Sequence, residues 1–196
     1  LHGGWYDAGD YNKYTTWTGN YIIELLKACR ETPTAWTDDY NIPESGNSIP
    51  DILDEVKWGM DYMLRLQNSN GSMISIVGVA HGSPPSSASG KSVYGNVNTS
   101  ATLKAAATFA YGSTVFRWAG LSCYADTLLS AAEKAWTWAV ANPTVVWTNT
   151  ATEWTSVANS GGGDMETDDY GRLMFKLEAA SYLYEVTSDN QYKTFF

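Results

Sequence analysis

The chain has 196 residues, of which 44% are hydrophobic, and it carries a formal net charge of −9 at pH 7. A chain of this length is the size of one domain and can bury a sizeable core. The acidic balance argues against nucleic acid as a partner, because nucleic-acid-binding proteins are usually basic, and against anionic membranes for the same reason. The sequence contains no run of 18 apolar residues, so it predicts no membrane span.

The first stretch, LHGGWYDAGDYNKY, places two carboxylates, Asp7 and Asp10, three residues apart. Ala8 and Gly9 lie between them, and small residues allow the backbone to turn sharply. Such a turn can bring both carboxylates to one side, where they could act on a single water molecule. A turn that is only capped by an Asx side chain is the plain structural alternative, and an EF-hand is excluded because the alternate positions after Asp7 do not supply side-chain oxygens.

Aromatic residues surround this turn, and Trp5 and Tyr6 stand directly before it. Their flat apolar faces could stack on the C–H face of a sugar ring. The alternative is that they pack against the protein and fix the turn. We therefore name Trp5 and Tyr6 as candidate substrate-binding residues and leave both interpretations open.

The rest of the chain reads mainly as helices joined by irregular loops. Apolar residues recur at spacings of three and four, which predicts helices over about residues 14–30, 50–68, 99–119, 122–141 and 169–187. This pattern is typical of an all-α fold with minor strands. Cys29 and Cys123 each lie in or beside a helical pattern, so we expect two buried free thiols.

Two loops carry further candidate residues. Residues 73–77 could form a short strand, and the Gly, Ser and Pro residues after it predict a surface loop that begins near His81. His81 is a candidate substrate contact, although an ordinary polar role is the alternative.

The second loop contains the carboxylates Asp164, Glu166, Asp168 and Asp169. As an EF-hand starting at Asp164 the loop fails, because Asp169 stands where glycine belongs and Phe175 where the bidentate glutamate belongs. We expect a solvated loop and no cofactor, with calcium binding left as an open alternative.

Four segments together resemble glycoside hydrolase family 9. GGWYDAGDYNKY resembles the GGYYDAGD-type signature of that family, and three further regions agree with it in order. These are IPDILDEVKWGMDYMLRLQ (49–67), NTSATLKAAATFAYGSTVF (98–116) with AAEKAWTWAVANP (131–143), and SYLYEVTSDNQY (181–192). The resemblance covers most of the chain.

The resemblance implies an (α/α)6 barrel, of which residues 1–196 would be about half of one catalytic domain. It also implies an inverting hydrolase of β-1,4-glucosidic bonds in cellulose or related β-glucans. By the match, Asp10 is the general base and Asp7 helps to hold the attacking water. The general acid of the family is a glutamate near the far end of the domain, and we expect it outside this chain, because none of the later glutamates matches its motif. Those are Glu153, Glu166, Glu178 and Glu185.

Several expectations depend on the resemblance alone. Some family members bind calcium through an Asp-Glu pair leading into a helix, and the aligned segment here, residues 170–175, lacks that pair. Secretion is expected because the substrate is a large external polymer. The missing half of the barrel is expected as another chain, or else the protein associates with itself. The alternatives in function are an exo-acting cellodextrinase or exo-β-glucosaminidase, and a truncated, non-catalytic polypeptide that binds glycan.

Overall fold

A computed structural model describes residues 2–9, 11–79, 90–158 and 164–195. The elements follow one another in the order β1 (Lys13–Tyr14), α1 (Thr15–Glu31), α2 (Asp51–Leu66), β2 (Ile76–Val79), β3 (Ser92–Tyr94), α3 (Thr99–Trp118), α4 (Ser122–Ala141), α5 (Thr152–Thr155), α6 (Asp169–Thr187) and α7 (Asn190–Lys193). A single turn of 3-10 helix, Pro33–Ala35, follows α1. The predicted long helices are thus confirmed, with ends within two residues of those expected.

Helix α3 lies at the centre of the core. It packs against α1, α4 and α6, and nearly every one of its side chains is buried. Its run of alanines and small polar residues lets the neighbouring helices approach closely. Asn98 caps its start, because the Asn98 side chain accepts a hydrogen bond of 2.9 Å from the backbone N–H of Ala101.

A small antiparallel sheet lies beside the helices and holds the opening turn. Its strand order is β1-β2-β3, with Lys13 opposite Val77 and Val77 opposite Tyr94. The predicted strand therefore exists, but it begins at Ile76 rather than at residue 73. β1 runs directly into α1, so the sheet fixes both the opening turn and the start of the first helix.

The cysteine prediction is half correct. Both thiols are free, and Cys29 is buried in α1. Cys123 is exposed, however, because it lies in the first turn of α4 on the side that faces solvent. Burial raises the pKa of the Cys29 thiol above its ordinary value.

Helix α6 leaves an apolar face open. It buries only Ala179, Ala180 and Leu183, while Tyr170, Leu173 and Met174 are 69%, 52% and 42% exposed. Separately, none of the helices in the described ranges combines the length and apolar character required to cross a bilayer.

Candidate active site

The opening turn is closed by its own backbone. The N–H of Asp7 donates a hydrogen bond of 2.9 Å to the carbonyl of Asn12. Tyr11 within the loop has a φ of 59°, in the left-handed region that side chains other than glycine rarely adopt. Asp10 lies outside the described residues, so its role as general base stays a prediction. Asn12 is fully buried, and it anchors the loop to the protein beneath it.

The Asp7 carboxylate is half-buried and meets one side chain of α1. The Tyr21 hydroxyl donates to Asp7 Oδ1 over 3.3 Å. Burial, together with the charge of Asp7 and this hydrogen bond, raises the pKa of Tyr21. Sequence reasoning missed Tyr21. A signal was available: α1 begins directly after the turn, so its first two turns must stand close to the turn's carboxylates.

Trp5 fixes the turn to α2. Its indole Nε1 donates a hydrogen bond of 2.6 Å to Glu55 Oε1, and its ring lies against Gly59 of the same helix. The ring is partly buried. These contacts match the packing interpretation of Trp5, and its stacking on a sugar stays a prediction.

Tyr6 is the more open of the two candidates. Its side chain is 51% exposed, and its ring meets the Tyr11 ring edge-on with centroids 4.6 Å apart. The Lys13 ammonium lies 4.5 Å from the centre of the Tyr6 ring. Tyr6 therefore presents a supported aromatic surface beside the turn, which is what a sugar platform requires.

Lys13 is a buried cation beneath the turn. Its Nζ donates 2.6 Å to the carbonyl of Gly3 and lies 5.2 Å from the Tyr62 ring centre. Burial, and secondarily the nearby charge of Arg65, lowers the pKa of Lys13. The ammonium is thus held between the loop and α2, where it ties the two together.

A second segment approaches the opening turn at Gly78 of β2. A Cβ on Gly78 would lie 2.6 Å from Asn12 Oδ1 and 3.0 Å from the Trp154 ring. Trp154 in turn meets Trp147 edge-on at 5.9 Å. Gly78 of β2 therefore lies between the Trp154 ring and Asn12, the buried residue that closes the opening turn. His81, in the loop after β2, lies outside the described residues and its role stays a prediction.

Glu166 attaches the acidic loop (residues 164–169) to the neighbouring helices. Its carboxylate accepts hydrogen bonds from Asn98 Nδ2 at 2.8 Å and from Trp147 N at 3.2 Å, and it pairs with Arg172 at 3.1 Å. Asp168 caps α6 through the N–H of Gly171 at 2.8 Å. In the described ranges, no cluster of three or more His, Cys, Asp or Glu side chains could hold a metal ion.

The other late glutamates have structural partners as well. Glu153 accepts from Trp147 Nε1 over 3.1 Å, Glu178 pairs with Lys104, and Glu185 pairs with Arg30 at 2.6 Å. None of them is presented as a free carboxyl group beside the opening turn.

Comparison with known proteins decides the family. The model for Glycosyl hydrolase family 9 matches residues 1–196. This chain is a member of glycoside hydrolase family 9. It is 31% identical to a cellulose 1,4-beta-cellobiosidase of Acetivibrio thermocellus, over 98% of this chain and 23% of that protein. It is also 31% identical to a cellodextrinase of Butyrivibrio fibrisolvens, over 97% of this chain and 34% of that protein.

Solved structures give the same family and the fold. A metagenome-derived glycoside hydrolase family 9 endoglucanase aligns with a TM-score of 0.84 at 32% identity, over 98% of this chain and 34% of the other. The family 9 chain described here therefore spans about a third or less of the length of these relatives. The expected (α/α)6 barrel is confirmed as the fold to which these helices belong, and the chain covers only part of it.

Proposed function

We propose that this family 9 chain carries the water-activating part of an inverting hydrolase of β-1,4-glucans. Asp10 is the general base, and Asp7 holds the attacking water. The observation that carries the proposal is the family match over residues 1–196, with relatives named as a cellobiosidase, a cellodextrinase and an endoglucanase. The half-buried Asp7 carboxylate at a backbone-closed turn supports it from the structure.

The chemistry needs a second carboxyl group from elsewhere. In an inverting glycosidase the acid and base stand roughly 6.5–9.5 Å apart, which leaves room for the water. Asp7 and Asp10 share one loop, so they serve the same water rather than opposite faces of the sugar. Glu153, Glu178 and Glu185 each have a structural partner, which supports a general acid outside this chain.

The aromatic surface supplies the sugar platform. Tyr6 lies half-exposed beside the turn with Tyr11 edge-on to it, and we propose that a glucosyl unit stacks there. Trp5 and His81 are secondary candidates. Trp5 acts through its fixed position on α2, and His81 through the loop after β2. Endo action is proposed; exo action on cellodextrins or glucosaminides is the alternative within the family.

A second candidate function is glycan binding without hydrolysis. The structural partners of the late glutamates favour it, because a base without an acid loses the proton transfer to the leaving group. That loss typically lowers the rate by about 10²–10⁴-fold.

The exposed face of α6 requires a partner under either function. Tyr170, Leu173 and Met174 form an apolar stripe on one helix, and such patches usually mark contact surfaces. We propose that further helices of the family 9 domain, or a second copy of this chain, cover it. A secreted protein is proposed as well, since β-glucan polymers lie outside the cell.

The test uses cellotetraose with the purified catalytic domain that contains this chain together with the segment expected to supply the general acid, and the intact mass and oligomeric state are recorded. Released reducing sugar and heat of binding are measured for the wild type and for Asp10→Asn. The proposal predicts sugar release that falls by about 10²-fold or more in Asp10→Asn. Binding with no release in any form of the protein would favour the second candidate. Release unaffected by Asp10→Asn would contradict the proposed base.

A further inference from the structure

Tyr21 stands where it can control one oxygen of Asp7. It belongs to the second turn of α1 and is 46% exposed. Its hydroxyl donates to Asp7 Oδ1 at 3.3 Å. The two residues are 14 positions apart, and they meet because β1 leads directly into α1.

The Asp7 side chain is constrained on one side and open on the other. The backbone N–H of Asp7 is bound to Asn12 O at 2.9 Å, which fixes the Cα of Asp7. Tyr21 then fixes Oδ1. Among the described residues, the hydrogen bond that the Asp7 carboxylate accepts is the one from Tyr21, and it is made to Oδ1 rather than to Oδ2.

We propose that Tyr21 is a positioning residue for the hydrolysis, holding Asp7 Oδ1 so that Oδ2 faces the attacking water. This inference rests on the proposed function, since it names the group that orients the water-holding carboxylate. A carboxylate free to rotate about its χ2 torsion would present either oxygen or neither. One fixed oxygen removes that freedom before substrate arrives, and preorganisation of this kind lowers the barrier.

The coupling between the two groups is also electrostatic. A phenol that donates to a carboxylate resists ionisation, because its anion would face that charge. After burial, Asp7 is the one described charged group that raises the pKa of Tyr21. Removing the Asp7 charge must therefore make Tyr21 easier to ionise.

The first experiment tests the contact between Tyr21 and Asp7 and does not depend on enzyme activity. Tyrosine labelled with ¹³C at Cζ is incorporated into the full chain, and Tyr21 is titrated by NMR in the wild type, Asp7→Asn and Asp126→Asn. Asp126 lies on α4 and pairs with Arg117, so its variant removes one exposed negative charge elsewhere. We expect the Tyr21 midpoint to fall by roughly half a pH unit in Asp7→Asn only. Equal Tyr21 midpoints in all three proteins would overturn the proposal.

The second experiment measures the consequence for turnover. Tyr21→Phe removes the hydroxyl, and Tyr40→Phe is the matched control, because Tyr40 is a similarly exposed tyrosine that donates to Ala35 O instead. We expect kcat on cellotetraose to fall roughly 3- to 10-fold in Tyr21→Phe with KM unchanged, and no change in Tyr40→Phe. Wild-type kcat in Tyr21→Phe would overturn the positioning role.

The two experiments separate the inference from the proposed function. If the wild-type domain, with the segment that supplies the general acid present, releases no sugar, the proposed hydrolysis fails, and the titration alone then decides whether Tyr21 holds Asp7. If sugar is released and the Tyr21 midpoint is unchanged in Asp7→Asn, the proposed hydrolysis is supported and the positioning role of Tyr21 is contradicted.

Discussion

Gly4 brings the backbone of the opening turn against the ring of Tyr62. Its φ is 66°, and a Cβ there would lie 2.7 Å from the Tyr62 ring carbons. A side chain at position 4 would therefore carry two free-energy costs. It would strain the left-handed backbone, and it would overlap with the fully buried Tyr62 side chain. Tyr62 cannot yield easily, because it is packed beneath Lys13 and the loop.

Gly4→Ala should lower the free energy of unfolding by about 2–4 kcal/mol, which is the sum of backbone strain and overpacking. Gly46→Ala is the matched control, because Gly46 has a φ of 92° but nothing within 4 Å of its Cβ position. Its cost should be only about 1 kcal/mol. Urea unfolding of both variants measures the difference; equal losses would show that Tyr62 gives way.

Some residues of the site were accessible to sequence reasoning and others were not. The spacing of Asp7 and Asp10 around Ala8 and Gly9 predicts a turn because local chemistry decides it. The chain order predicts that the first turns of α1 lie near Asp7, but it does not say which of their side chains meets the carboxylate, because the angle between β1 and α1 depends on the sheet. The partner of Trp5 could not be predicted from the sequence. Its indole hydrogen bond to Glu55 depends on how α2 packs against the turn, 50 residues further along the chain.

At the scale of elements, a buried ion pair joins α3 to α6. Lys104 pairs with Glu178; the Lys104 side chain is 4% exposed and the Glu178 side chain 26%. The Lys104 ammonium also lies 4.4 Å from the Phe175 ring centre. Burying the two charges costs desolvation free energy that the pairing offsets only when both partners are present.

Glu178→Gln should lower the free energy of unfolding by about 2–4 kcal/mol, because the Lys104 charge stays buried without its partner. The double variant Lys104→Met with Glu178→Leu should come within about 1 kcal/mol of the wild type, since no charge is then left unpaired. Urea unfolding of the wild type and both variants measures the two losses. If the double variant lost as much as Glu178→Gln, the pair itself would be a net source of stability.

The elements themselves were largely predictable. The long helices were predictable because apolar residues recur at spacings of three and four over many turns, and α4 has a clear stop at Asn142–Pro143. The start of β2 was harder to predict. Apolar residues stand on both sides of Ser75 in residues 73–77, so periodicity alone could not set where pairing with β1 starts. The exposure of Cys123 depends on how α4 is rotated against α3, which its weakly amphipathic sequence leaves open.

At the scale of the whole molecule, buried tyrosine hydroxyls control the response to alkali. Burial raises the pKa of Tyr62, Tyr124, Tyr182 and Tyr192 above the ordinary value of 10.0. The unfolded chain releases these protons first, so stability is fully present below about pH 10 and is lost as the pH rises further. The lowered pKa of Lys13 makes stability rise with pH, but this single group is outweighed by the four tyrosines.

The free energy of unfolding should therefore fall between pH 9 and pH 11. Urea titrations across that range measure it. Tyr124→Phe, which removes a hydroxyl that donates 2.7 Å to Asp61, should flatten the decline. A stability that stays level or rises over this range would show that these hydroxyls ionise as freely in the folded chain as in the unfolded one.

The central claim is that this family 9 chain activates water for an inverting attack on a β-1,4-glucosidic bond. The most direct measurement is the anomeric configuration of the first product from cellotetraose, followed by ¹H NMR with the form of the protein that releases sugar. Attack from the side opposite the leaving group predicts that the α-anomer accumulates first and then equilibrates. Initial accumulation of the β-anomer would contradict the account, because it would require a carboxylate nucleophile in place of an activated water.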